Sequence, residues 1–192
     1  GMELIPCIQT LAHLNAIFRW PQYAAFRDCD DSLLAGDDRT YQLIEDIFAT
    51  LERTVRSRTV NIGMDEAHMV GRGKYQDLHG WEDRSELLVK HLTRVAEIAA
   101  SHGFELIMWG DRFFRLISGG TYYVDDLQVS DEIKKKIPAN VNLIYWDYYS
   151  TDQQHYENQI RSHRAIKENI WFAGGLWMWS GFAPHNSYAI TA

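Results

Sequence analysis

Thr59-Val60-Asn61-Ile62-Gly63-Met64 (TVNIGM) is a short β-branched and apolar run, and it ends on two adjacent carboxylates, Asp65 and Glu66. Its length and composition predict a buried strand. The segments on either side have a different period. Upstream, Leu43, Ile44, Ile47, Phe48 and Leu51 recur at helical spacing, predicting a helix over 38–56 that Asp37 or Asp38 can cap. Downstream, Leu87, Leu88, Leu92, Val95, Ile98 and Ala99 share one face of a second helix over 83–102, with Gly103 as its stop.

The same alternation runs in both directions. Glu3–Gln9, Phe104–Trp109, Val141–Asp147 and Ile170–Trp179 read as further strands. Short helices are expected over 113–117 and 130–137, and a polar-faced helix over 152–168. Strand and helix in turn imply βα units and a parallel sheet. Two architectures satisfy this, a doubly wound sheet and a (β/α)8 barrel of the TIM type. The chain shows no Gly-rich phosphate loop after its first strand. Polar and aromatic residues also gather where several different strands end: His13, Asp65, Glu66, Trp109, Asp111, Trp146, Asp147, Trp177 and Trp179. Barrels assemble their sites at that rim, so the expectation is an α/β barrel, with residues 1–192 as a single domain.

Composition narrows the partners. With 19 basic and 26 acidic residues, the formal charge of −7 disfavours nucleic acid. No stretch approaches the length of a membrane span and no signal-peptide pattern is present, which favours a cytoplasmic protein. Cys7 and Cys29 have no CxxC spacing, and Cys7, in an apolar run, is expected to be buried. The 7 Trp and 10 Tyr suit a core, an interface or a sugar-stacking cleft.

At a strand end the backbone can turn, so that two neighbouring carboxylates face one cleft rather than opposite sides. Glycoside cleavage needs a carboxyl that protonates the leaving oxygen and a second group that stabilises the developing cation. The alternative for Asp65-Glu66 is the acidic first turn of a helix.

The stretch Asn61–Ala67 (NIGMDEA) resembles the G-x-D-E strand of glycoside hydrolase family 20, the β-N-acetylhexosaminidases. Leu4–His13 (LIPCIQTLAH), Met108–Asp111 (MWGD), Tyr145–Tyr149 (YWDYY) and Ala173–Phe182 (AGGLWMWSGF) resemble other parts of the family, in order along the chain. The resemblance implies a partial barrel of about five βα units, the third to seventh strands, with the rest outside this chain. It implies substrate-assisted cleavage of terminal β-linked GlcNAc or GalNAc through an oxazolinium intermediate, with no cofactor and no metal. Glu66 would be the general acid and then the base, with a raised pKa. Asp65 would orient the acetamido group.

Trp109, Trp146, Trp177 and Trp179 would box the acetamido methyl and stack on the sugar. Tyr148, with Tyr145 and Tyr149 as competitors, would donate to the acetamido oxygen. Asp111 would bind hydroxyls or cap a short helix, and Asp147 is a weaker candidate for the same work. His13 would orient a catalytic carboxylate or touch a hydroxyl. The family pattern has acidic residues on the strand before His13, where this chain has Gln9 and Thr10.

His68, His79 and Gly71–Lys74, after the acid pair, read as a solvated loop. Two open sheet edges would favour a homodimer that closes the sheet. Two other readings stand beside the glycosidase. One is a metal-dependent barrel hydrolase using His13, Asp65, Glu66, His68, Asp111 and His185, although H-x-H and H-E-x-x-H spacings are absent. The other is a non-catalytic carbohydrate-binding remnant.

Overall fold

The computed structural model describes residues 2–175 and divides into two compact units. The first runs to Met108 and includes Lys135–Val141; the second takes Trp109–Lys134 and the chain from Asn142 on. Trp177, Trp179 and His185 lie outside the described residues.

In the first unit, helix α1 (Asp38–Thr54) leads to strand β1 (Thr59–Asn61). Helices α2 (Lys74–His79) and α3 (Arg84–Ser101) follow, then strand β2 (Glu105–Trp109), whose last residue belongs to the second unit. The two long helices start where the capping chemistry is. Asp37 accepts from the Arg39 N–H at 2.9 Å, and Asp83 accepts from Ser85 N–H and Glu86 N–H at 2.9 and 3.2 Å. Gly103 follows α3 at φ +72°, a left-handed stop. α1 packs on α3, with Phe48 against Phe104 and the His102 ring between Glu45 and Glu52 of α1 at 2.6 and 2.7 Å. Ile44, Phe48, Leu88, Leu92 and Val95 are buried between the helices and the strands.

β1 pairs in parallel with β2 in the register Thr59↔Glu105, Val60↔Leu106 and Asn61↔Ile107. On its other edge β1 meets the opening segment. Asn61 N–H donates to Pro6 C=O at 2.9 Å, Ile8 N–H to Asn61 C=O at 2.8 Å, and Thr10 N–H to Ile62 C=O at 3.2 Å. These bonds make one isolated bridge, Cys7↔Asn61, where a strand is expected over 3–9. Pro6 has no N–H to extend the ladder. Cys7 is exposed rather than buried, together with Met2 and Leu4. Among the described residues this segment pairs along only one edge, and the Met2, Leu4 and Cys7 side chains stay exposed.

In the second unit, α4 (Asp111–Ser118) precedes most of α5 (Asp131–Lys135), strand β3 (Val141–Trp146, its first residue in the first unit), α6 (Gln153–Ile166) and β4 (Ile170–Ala173). β3 and β4 are parallel, with Leu143↔Ile170 and Trp146↔Ala173 at the ends of the register. Asp152 caps α6 by accepting from Gln154 N–H at 3.0 Å. The core is aromatic: Phe114 stacks on the buried His163 ring, with centroids 4.5 Å apart, and Tyr145 lies on the same ring at 4.6 Å. Both units are therefore parallel α/β.

Candidate active site

The end of β1 is where the chain leaves regular geometry. Asn61 Oδ1 accepts from Gly63 N–H at 2.9 Å, an Asx turn that takes this amide out of the ladder. Gly63 then lies at φ +69°, Met64 at +66° and Glu66 at +48°. Left-handed backbone costs a residue with a side chain about 1–2 kcal/mol. Met64, fully buried, is held there by its packing. Such outliers gather at functional sites when the surroundings over-determine them. Their effect is to break the strand alternation, so that Asp65 and Glu66 do not point to opposite faces.

Both headgroups converge on one imidazole. His13 Nε2 is 3.1 Å from Asp65 Oδ2 and 3.6 Å from Glu66 Oε2. The side chains of Asp65, Glu66 and His13 keep 23%, 50% and 39% of their exposure, so the cluster is open to solvent. With two carboxylates facing Nε2, the network assigns the proton to that nitrogen. His13 is itself left-handed, at φ +59°. Asp31 secures it: Asp31 Oδ2 accepts from the His13 backbone N–H at 2.9 Å and lies 3.7 Å from Nδ1.

Support comes from below and from the side. Gln9 Nε2 donates to Asp65 Oδ1 at 3.2 Å. Thr10 Oγ1 donates to Ile62 C=O at 2.9 Å, and Thr10 C=O accepts from the buried His91 Nε2 at 2.8 Å. Burial drives the His91 pKa down to about 4, with the Thr10 bond opposing it, so His91 is neutral and its Nδ1 accepts from Tyr41 OH at 3.3 Å. The loop after the acid pair is not simply solvated. Asp28, buried, accepts from Gly71 N–H at 2.6 Å and from Tyr75 N–H at 2.7 Å, and α2 begins there. Gly73 must be glycine, because a Cβ would sit 2.5 Å from Asp28 C=O. His68 and His79 are exposed.

The second unit carries the aromatic candidates. Trp146, at the end of β3, is half-buried and stacks with Tyr148 at 5.6 Å and with Tyr122 at 5.0 Å between centroids. Tyr122 OH donates to Trp146 C=O at 3.1 Å, and burial pushes its pKa up. The Tyr148 ring lies over Gly175, where a Cβ would come within 2.7 Å of it. Trp109 is half-buried at the end of β2.

Two acids here are buried. Asp111 occupies the first turn of α4. Asp147 accepts from Tyr145 OH at 2.9 Å, His155 Nε2 at 2.8 Å and Tyr149 N–H at 2.9 Å. Tyr145 is thereby committed to Asp147, and burial followed by the Asp147 charge raises its pKa. Tyr149 is exposed. Among the described residues, no group of three or more His, Cys, Asp or Glu is arranged to hold a metal ion.

No family model and no curated protein sequence matches the chain. Solved structures do. The chain superposes on the β-N-acetylhexosaminidase from Bacteroides fragilis with a TM-score of 0.61 and 19% identity, over 100% of this chain and 36% of that one. With the family 20 exo-β-N-acetylglucosaminidase from Vibrio harveyi, in complex with N-acetylglucosamine, the TM-score is 0.59 at 14% identity, over 92% and 26%. With the family 20 β-N-acetylhexosaminidase from Streptomyces coelicolor it is 0.57 at 18%, over 93% and 31%.

The chain has the fold of part of a family 20 glycoside hydrolase. It spans about a quarter to a third of the length of these three structures. Within the family 20 fold, sequence reasoning missed Gln9 as a partner of Asp65, Asp31 as the anchor of His13, and Asp28 as the tie of the following loop. Each acts from a segment without periodicity, across 18 to 56 residues of chain. The usable signal was the departure at Gln9 itself, a polar residue where the family pattern has acids.

Proposed function

We propose that this chain is the catalytic-pair portion of a β-N-acetylhexosaminidase barrel, a glycosidase that removes terminal β-linked GlcNAc or GalNAc with retention. The observation that carries the reading is the convergence of Asp65 and Glu66 on His13 Nε2, 3.1 and 3.6 Å away, at the end of a parallel strand. The likeness of the fold to family 20 enzymes supports it.

Glu66, the more exposed acid, gives its proton to the glycosidic oxygen as the bond to the anomeric carbon breaks. The substrate's acetamido oxygen attacks that carbon and closes the oxazolinium ring. Asp65, with one donor on each oxygen, keeps lone pairs for the acetamido N–H and stabilises the positive charge that spreads onto that nitrogen. Glu66, now a carboxylate, takes a proton from water, which opens the ring at the anomeric carbon with net retention. On the resemblance, Trp109, Trp146 and Tyr148 would serve the acetamido group and the sugar face, since ring faces stack on pyranose C–H bonds. Trp177 and Trp179 take the same part on the resemblance alone.

The test is turnover of a chromogenic GlcNAc glycoside. Glu66→Gln should lower it by about 10²–10⁴-fold, the usual worth of a positioned general acid. Unchanged turnover in that variant, or turnover abolished by a chelator, would overturn the reading.

A further inference from the structure

We propose that Gln9 is a positioning residue for Asp65, clamped at both ends so that its amide presents a neutral donor to that carboxylate. One end rests on Gly63. A Cβ at Gly63 would lie 2.0 Å from Gln9 Oε1 and 2.5 Å from its Cδ, so only a glycine leaves room for the amide. The other end faces Asp65, with Nε2 donating to Oδ1 at 3.2 Å.

The amide has one sensible orientation. Turned over, Oε1 would confront Asp65 as a second acceptor, which the network forbids. As placed, Gln9 Oε1 is buried and has no hydrogen-bond partner among the described residues. It sits over the Gly63 backbone, where a weak C–H···O contact is the interaction on offer. The amide therefore gives up one hydrogen bond in order to keep the other.

The consequence falls on Asp65. Gln9 holds Oδ1, and His13 lies 3.1 Å from Oδ2. Two donors from positions four residues apart grip the carboxylate at both oxygens and fix its rotation. Because the Gln9 donor carries no charge and no titratable proton, Asp65 remains an acceptor for a substrate N–H. A carboxyl in place of Gln9 would compete with Asp65 for a proton. The same packing gives a reason for the glycine of the Gly63-Met64-Asp65-Glu66 run beyond its left-handed φ: it is the seat of Gln9.

The catalytic consequence rests on the glycosidase reading, but the geometry does not, and two readouts separate them. The first is the Gln9 side-chain amide in the whole chain, followed by proton–nitrogen NMR. One Nε2 proton should exchange slowly and shift when Asp65→Ala removes its acceptor. An amide that exchanges freely or ignores that substitution overturns the proposal, whatever turnover does.

The second readout is kinetic. Gln9→Met, similar in length but without a donor, should lower kcat about tenfold with KM changed less than about threefold, as expected when an interaction made in the transition state is lost. Gln9→Glu keeps the shape but adds a charge beside Asp65. The other titratable groups facing Asp65 are His13, Glu66 and the Cys7 thiol, which desolvation and then the Asp65 charge push up. The Gln9→Glu variant should be impaired near neutrality and recover as the pH falls and the two carboxyls share a proton. A general loss of packing would depress activity at every pH, and that result, or full activity in Gln9→Met, overturns the proposal. A chain that shows the amide response yet neither turns over nor binds a GlcNAc-thiazoline refutes the glycosidase reading while upholding Gln9 as the holder of Asp65.

Discussion

The buried His91 makes the stability of the first unit depend on pH in a way that one substitution isolates. His91 is fully buried, with Nε2 on Thr10 C=O at 2.8 Å and Nδ1 on Tyr41 OH at 3.3 Å, and both bonds suit the neutral ring. Burial takes its pKa from 6.5 to about 4. Between those values the unfolded chain binds a proton here that the folded chain refuses. The stability of the neutral ring is thus whole above about pH 6.5 and drains away as the pH falls toward 4.

Integrating that difference from about pH 7.5 to 5.5 gives a loss of about 1 kcal/mol, and about 3 kcal/mol once the pH is below both values. The window above about pH 5.5 precedes the bulk of carboxylate titration. The assay is urea unfolding of the chain and of His91→Gln at the two pH values. The variant should be less stable at both, but should lose about 1 kcal/mol less than the native chain on acidification. Other titrating groups, His102 among them, act in both proteins and cancel in the comparison. Equal losses in the two proteins would refute a neutral, buried His91.

Other outcomes follow from the same geometry. Gly63→Ala should destabilise by about 1–2 kcal/mol in thermal melts through its left-handed φ, while the clash turns the flexible Gln9 amide away from Asp65, so that adding Gln9→Ala should change stability little further. Asp28→Ala removes the acceptor of Gly71 and Tyr75 and should cost about 2–4 kcal/mol, read as faster tryptic cleavage at Arg72 and Lys74. His102 has its pKa raised, first by Glu52 and then by Glu45, so its contribution is whole below about pH 6.5 and lost as the pH rises through the folded value. His102→Ala should therefore destabilise more at about pH 6 than at about pH 9 in paired melts. Phe48→Ala, emptying the contact with Phe104, should cost about 3–5 kcal/mol.

Much of the fold could be read from spacing alone. The apolar stripes of α1 and α3 predict both helices to within two residues, because long amphipathic helices repeat their signal over several turns. Asp37 announces the start of α1 by the same chemistry that satisfies the free N–H groups, and Asp83, which spacing places inside the second helix, does so for α3. The opening run reads as a strand because apolar residues look alike in a ladder and beside one. Here Pro6, with no N–H to extend the ladder, reduces it to a bridge. α2, at six residues, is too short to show a period, and it exists because Asp28 caps it from another loop.

In the candidate site, Asp65 and Glu66 were legible as a motif and His13 as a neighbour by resemblance. What was not legible is how they are held. The Gln9–Asp65 bond joins positions 56 apart, and no local pattern carries such a contact. Asp147 reads as a rim acid, yet the structure spends it on Tyr145, His155 and Tyr149. Burial of a polar group follows from three-dimensional packing, which spacing does not encode.

The handedness of two peptides, at Met64 and Glu66, decides which way a pair of acids looks. Strain stored there is small beside the stability of a domain but large beside thermal energy. A substitution that let this corner relax would leave helices, sheet and core untouched while turning the acids away from each other. Such a lesion would show no loss of stability in an assay of folding, only the small gain from released strain, and its damage would appear in the chemistry, which makes the corner, rather than either acid, the most economical place at which this scaffold could be disarmed.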